Sequence, residues 1–98
     1  KITGVASEST SLTPQQLTVE VVPPASGTAT VVLPPLSTWK DKEALIYSRT
    51  SAPGGDVAIK LTENATDPVG DTITAQGDKV LLRNVKGDHV VVLIDVTT

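Results

Sequence analysis

KVLLRNVKGDHVVVLIDV, which spans residues 79–96, predicts two apolar strands joined by a tight turn at Lys86-Gly87-Asp88. Gly87 can take the positive φ that such a turn requires. The second strand runs through consecutive aliphatic residues from Val90 to Ile94, without the alternation of a strand that is wet on one face. We therefore expect both faces of this strand to be covered, by a second sheet, by an arm of the chain or by another subunit.

The composition indicates a single β domain with an aliphatic core. The 98 residues include 14 Val, 9 Leu, 5 Ile and 14 Thr, whereas Trp39 and Tyr47 are the only aromatic residues. Val and Thr have similar shapes and both suit a pleated surface. One domain of this length can form a core, although it leaves roughly a third of its extended-chain surface exposed.

Charge and cysteine content narrow the classes of partner. The net charge is −3, and the eight basic residues are scattered along the chain, which argues against a nucleic-acid footprint and against an anionic membrane surface. No apolar run reaches the ~18 residues of a transmembrane helix. Cysteine is absent, so no disulfide and no thiolate zinc site holds the fold.

Turn residues divide the chain into about seven strands with no convincing helix. Pro pairs at 23–24 and 34–35 end two of the strands, because proline cannot donate to a ladder. The expected strands are 17–22, 28–33, 44–50, 57–62, 71–75 and the two strands of the closing hairpin. Strands separated by turns every 8–12 residues predict an all-β fold, an antiparallel β-sandwich or a small β-barrel.

The first 16 residues predict an extended N-terminal arm, and residues 17–98 a single β domain. The arm is rich in Ser and Thr and carries only isolated apolar residues, Ile2, Val5 and Leu12, so it has too little apolar surface to fold alone. Two interpretations remain open. The arm is a flexible tail, or its apolar residues lie in grooves of a neighbouring subunit and add a strand to an exposed edge.

Residues 36–43 are the one candidate helix, and they contain Trp39. Ser37 could cap a single turn, but the segment is too short to persist without packing. Trp39 is expected to lie over an end of the core. The alternative is an exposed contact residue, since Trp is enriched in interface hot spots.

Catalytic and metal sites have weak support in the sequence. His89 is the only histidine, no Gly-x-Ser-x-Gly elbow occurs, and Asp88 and His89 on one strand are expected to point to opposite faces. The acids of the 63–78 loops could attract calcium, but their spacing does not fit a calcium loop. Solvated turn acids are the simpler interpretation. We predict no cofactor, no metal site and no enzymatic activity.

From residue 31 onward, the order of strands and turns resembles a β-module of tailed-bacteriophage virion proteins, found in fibre and head-decoration proteins. The segments that carry the resemblance are Val32-Leu33-Pro34, Ala44 to Arg49, Pro53 to Asp56, Val57-Ala58-Ile59, Asp71-Thr72-Ile73, Gly77 to Leu82 and Gly87 to Leu93. The resemblance covers residues 31–94. It is a pattern of turns and apolar spacing without a diagnostic motif.

The resemblance implies a non-enzymatic structural protein on the virion surface, a capsid-decoration or fibre-base module that forms a homo-oligomer, a trimer. Its partners would be copies of itself and the major capsid or another virion protein. The contact residues expected from the arm, the Trp segment and the last strand are Ile2, Val5, Leu12, Trp39, Val90, Val92 and Ile94. The alternative is a monomeric Ig-like or carbohydrate-binding β-sandwich that recognises a ligand through its loops.

Overall fold

The computed structural model describes residues 2–51 and 53–97, and its regular structure is all β, as the composition predicts. One 3₁₀ turn, Leu36–Thr38, stands where the sequence suggested a short helix. The eight strands are β1 Ile2–Thr3, β2 Ser9–Ser11, β3 Thr18–Val22, β4 Thr28–Leu33, β5 Glu43–Tyr47, β6 Asp56–Leu61, β7 Lys79–Val85 and β8 His89–Val96.

The strands form two sheets, and the chain alternates between them through its first six strands. The larger sheet has the order β1-β3-β5-β7-β8, and the smaller sheet has the order β2-β4-β6. Four neighbouring pairs are parallel, β1–β3, β2–β4, β3–β5 and β4–β6, and in each pair the intervening strand lies in the opposite sheet. Among the named strands of the described residues, the β5–β7 and β7–β8 pairs are antiparallel. The described strands do not close into a barrel.

The expectation of an antiparallel sandwich or barrel is therefore wrong in strand direction. The corner around Pro23, Pro24 and Gly27 is short enough for a hairpin, but it leads the chain across to the other sheet. A strand in that sheet then acts as the crossover that parallel pairing requires. The segment 71–75 is also not a strand: Ile73 forms only an isolated bridge with Val57.

The predicted arm is extended, but it pairs with the body of its own chain. β1 pairs with β3, so that Ile2 is the partner of Val21, and β2 pairs with β4. Gly4 donates its N–H to the carbonyl of Val22 at 2.7 Å. A Cβ at Gly4 would approach that carbonyl to 2.9 Å, so glycine allows the close approach. The division at residue 16 stays a prediction.

The core lies between the sheets and is aliphatic, with Trp39 as its one aromatic member. In β4 the exposed and buried residues alternate, so that Ala29, Val31 and Leu33 are buried, as the sequence predicts. The larger sheet has two more strands than the smaller one. Two of its strands therefore need a cover that the smaller sheet does not supply.

The segment 34–42 covers the inner face of β7. Trp39 is fully buried, and its Nε1 donates to the carbonyl of Pro34 at 2.9 Å. In β7, Asn84 is also fully buried; its Nδ2 donates to the carbonyl of Leu36 at 3.0 Å, and its Oδ1 accepts from the N–H of Gly87 at 2.8 Å. This segment ends at β7 and leaves β8 as the outermost strand.

Candidate assembly surface

The last strand, β8, is apolar and exposed on both faces. The described residues do not cover it with the smaller sheet or with the arm, so two of the three covers expected from the sequence are absent from the chain. The exposed fractions are 42% for Val91, 39% for Val92, 46% for Leu93, 39% for Ile94 and 49% for Val96. These side chains are therefore in contact with solvent in the single chain.

The ladder with β7 assigns the side chains of β8 to the two faces of the sheet. Val92 lies opposite Leu82, which is buried, so Val92 belongs to the inner face. Ile94 lies opposite Leu81 and belongs to the outer face. The register shifts between these two pairs, so that Leu93 is an extra residue at a bulge. Apolar side chains are therefore exposed to solvent on both faces of β8.

The outer face of the larger sheet continues this apolar surface. Across three strands, Leu45, Leu81 and Ile94 are consecutive ladder partners. Arg83 follows Leu81 by two residues in β7 and lies opposite Glu43, and their charged groups are 3.7 Å apart. Both side chains are about half exposed, so this ion pair contributes little to stability. It borders the apolar row on one side.

The edge of β8 is the longest sheet edge among the described residues, and the bulge at Leu93 interrupts it. β1 and β2, at the other open edges, have two and three residues, and β2 is the polar sequence Ser-Thr-Ser. The outer edge of β6 is covered: Val57 and Ile73 exchange two backbone hydrogen bonds of 2.9 Å, and Val69 donates to Ile59. β8 has eight residues and no Lys, Arg or Pro. The bulge at Leu93 and the charge of Asp95, opposite the buried Val80, are features that limit indiscriminate pairing of such an edge.

The predicted contact residues fall into two groups. Leu12 and Trp39 are buried in the core, with 4% and 0% exposure, so neither side chain is available to a partner, contrary to the prediction. Ile2 and Val90 are partly buried against the core. The exposed members are Val5, Val92 and Ile94.

Further residues of the exposed apolar surface lie between the predicted positions of β8 and on the neighbouring strands. Val91, Leu93 and Val96 are as exposed as the predicted positions. The signal for them was the unbroken apolar run itself, since a strand that is apolar at every position offers both faces. Leu45 and Leu81 each lie between two buried residues of the same strand. The alternation of side chains along a strand therefore places both of them on the outer face.

The polar groups considered for catalysis lie at the surface. Nδ1 of His89 is 3.2 Å from Oδ2 of Asp88, and both side chains are more than half exposed. The expectation that these side chains point apart is therefore wrong. Asp88 belongs to the turn and not to the strand, so the alternation of strand side chains does not apply to it.

The loop acids are dispersed among local hydrogen bonds. Glu63 accepts from the N–H of Leu36, Asp67 lies 3.4 Å from Nδ2 of Asn64, and Asp95 accepts from the N–H of Asp71. Asp78 is buried, and its Oδ2 accepts from the backbone N–H of Thr74 and Ala75. Among residues 2–51 and 53–97, no three acidic or histidine side chains form a group that could hold a metal ion.

A second surface feature is an open cleft of about 560 Å³ where β5 ends beside the turn that precedes β7. Its lining residues are Leu45, Tyr47, Ser48, Arg49, Gln76, Gly77, Asp78 and Lys79. A smaller cavity of about 30 Å³ lies under the arm and has room for about one water molecule.

No family model, no curated protein and no solved structure matches this chain. Within the described part of the chain, no helix has the length and apolar character needed to cross a membrane. The surfaces described above are therefore the basis for a functional proposal.

Proposed function

We propose that this chain is a non-enzymatic structural subunit of a tailed-bacteriophage virion, a capsid-decoration or fibre-base module that assembles with copies of itself through β8. The single observation that carries the proposal is the exposure of β8 on both faces, from Val91 to Val96. The resemblance of residues 31–94 to virion modules supplies the biological setting. In this proposal the body is a two-layer sandwich, and its second partner is the major capsid protein or another virion protein.

The exposed side chains give assembly a driving force. Burying a Val, Leu or Ile side chain completely stabilises by about 1.5–3 kcal/mol. The side chains of β8 are already half buried, so each has roughly 1 kcal/mol left to gain. With five such residues per subunit, the gain is comparable with the total stability of about 5–15 kcal/mol of an ordinary domain. The entropic cost of association opposes this gain.

The geometry of β8 favours a trimer over a dimer. Two copies related by a two-fold axis could pair their β8 edges, and this would satisfy the backbone. Side chains stand perpendicular to a sheet, so Val92 on one face and Ile94 on the other would stay in water. In the trimer that we propose, each β8 would lie between two neighbouring copies, so that one copy covers each face.

Sedimentation velocity on the full chain tests the assembly. We expect a trimer at micromolar concentration, and monomers for Val92→Glu and for Ile94→Glu, which place a charge on the inner and the outer face respectively. The matched control is Val5→Glu, because Val5 is 52% exposed and lies on the arm; this variant should stay trimeric. A monomeric parent chain at about 100 µM, where an interface of micromolar affinity would be saturated, removes the proposal.

The virion role needs a separate experiment. Mass spectrometry of purified particles from the phage that encodes the chain should find it in a fixed ratio to the major capsid protein. Its absence from the particles would remove the virion part of the proposal and leave the assembly part intact.

The second candidate is a monomeric Ig-like or carbohydrate-binding sandwich, favoured by the cleft that contains Tyr47. With Trp39 buried, Tyr47 is the one aromatic ring that a sugar could reach. A glycan array would show a defined hit that is lost in Tyr47→Ala. A blank array, together with a trimer in sedimentation, decides for the structural subunit.

A further inference from the structure

We propose that the cleft between the end of β5 and the turn 76–79 binds a carboxylate-bearing, extended segment of a protein partner. The two cations and the backbone frame of this site lie outside β8, the strand proposed for self-assembly. Three properties of the cleft carry the proposal: its cations, its rigid frame and its apolar continuation.

The cations of the cleft are Arg49 and Lys79. Lys79 is the ladder partner of Tyr47, and Arg49 follows Tyr47 by two positions. Both cationic residues are exposed, and neither belongs to the ion pairs Arg83–Glu43 and His89–Asp88 of the described residues. The third charged residue of the cleft, Asp78, is 1% exposed, and its Oδ2 accepts three hydrogen bonds from Thr74 and Ala75. The accessible charge of the cleft is thus positive in a chain whose net charge is −3.

The frame of the cleft is held by backbone hydrogen bonds. Ser48 donates its N–H to the carbonyl of Asp78 at 3.0 Å, and its carbonyl accepts from Gly77 at 2.9 Å. The hydroxyl of Ser48 accepts from the N–H of Thr50 at 3.1 Å. These bonds join the end of β5 to the turn before β7. Binding therefore requires little ordering of the walls, which improves affinity.

The apolar continuation of the cleft indicates a peptide. Leu45 belongs both to the cleft and to the apolar row that continues through Leu81 to Ile94. An extended segment with alternating residues could place an apolar side chain on Leu45 and a carboxylate between the two cations. The guanidinium of Arg49 can bind a carboxylate through two parallel hydrogen bonds.

Other anionic partners fit the cleft less well. A free phosphate ion is far smaller than 560 Å³ and makes no use of the wall formed by Leu45 and Tyr47. Anionic membranes are recognised by clusters of about 4–8 basic residues, and single-stranded nucleic acid by several aromatic platforms. The cleft has two basic residues and one aromatic ring.

The test is an NMR titration of the full chain, labelled with ¹⁵N, with an acetylated and amidated peptide of Val-Glu repeats. The same peptide with Gln in place of Glu is the uncharged control. We expect the Glu peptide to shift the amide signals of the cleft, to bind more weakly as salt is raised, and to bind more tightly than the Gln peptide.

A pair of double variants locates the site. Arg49→Gln with Lys79→Gln should weaken binding of the Glu peptide about tenfold or more. Lys42→Gln with Lys86→Gln removes the same charge at the opposite ends of β5 and β7 and should leave binding unchanged. Three results would each overturn the proposal: equal binding of both peptides, equal losses in both double variants, or signal shifts on β8 instead of the cleft. Inorganic phosphate that saturates the cleft as tightly as the Glu peptide also overturns it, since the cleft would then recognise a free anion.

Discussion

Leu82 and Val92 lie opposite each other across the β7–β8 ladder, on the same face of the sheet, yet Leu82 is fully buried and Val92 is 39% exposed. The cover of the inner face ends between these two residues. It is built from Trp39 and the 3₁₀ turn before it, which reach β7 through the hydrogen bond of Asn84 to Leu36. β8 lies beyond that cover.

The first prediction compares these two partners. Leu82→Ala should lower the free energy of unfolding by about 2–5 kcal/mol, because it leaves a cavity in a packed core. Val92→Ala should cost less than about 1 kcal/mol in the isolated chain, since its side chain is already partly wet. Urea unfolding measures both values, at concentrations well below that of assembly.

At higher protein concentration, where copies associate, the cost of Val92→Ala should rise, because association stabilises the folded state by mass action. A cost that is the same at every concentration, while the parent chain assembles, would show that β8 is not part of the interface.

Trp39 is predicted to be a core residue and not a ligand contact. Trp39→Ala should cost about 3–5 kcal/mol. Trp39→Phe should cost about 1–3 kcal/mol, because the carbonyl of Pro34 loses the indole donor in a buried site. Circular dichroism follows unfolding, since these variants remove the one fluorescent indole. Tyr47→Phe is the matched aromatic control, with an expected change within about 0.5 kcal/mol.

Asn84 should be the most sensitive polar position of β7. Asn84→Ala removes a donor to Leu36 and an acceptor from Gly87, and should lower stability by about 2–4 kcal/mol. Arg83→Ala, at the exposed neighbouring position, should change stability by less than about 0.5 kcal/mol. Thermal denaturation of both variants makes the comparison. Similar melting temperatures would contradict the role assigned to Asn84.

The arm should stabilise its own chain. Deletion of residues 1–8 removes β1 and the hydrogen bond from the N–H of Thr30 to the carbonyl of Glu8, and should lower stability by about 1–3 kcal/mol. Gly4→Val should act in the same direction, because a Cβ there meets Ala29 at 2.9 Å. Ser9→Val, at an exposed position of β2, is the control. An arm that instead serves a neighbouring copy predicts loss of the trimer without loss of monomer stability, which sedimentation and urea unfolding separate.

Much of the local structure follows from the sequence. β4 has the predicted bounds of 28–33, and the hairpin from Lys79 to Val96 forms with Gly87 at a φ of +74°. These features depend on residues close in the chain: alternation, β-branched side chains, and glycine or proline at turns. The unbroken apolar run of β8 was also visible, but the cover predicted for both of its faces is not supplied by the described part of the chain.

The sequence by itself determined that the chain is all β, where six of its strands lie and how buried side chains alternate along strands such as β4. Only the tertiary structure decided that the strands alternate between two sheets and run mostly parallel, because a short corner after Pro24 suits a hairpin and a crossing equally well. It also decided that the arm lies on its own body, and that Tyr47, Arg49 and Lys79 share a cleft. The physical reason is that strands distant in the chain pair in the arrangement that buries most of their apolar faces. That arrangement depends on all the strands together, so a local sequence pattern does not specify it.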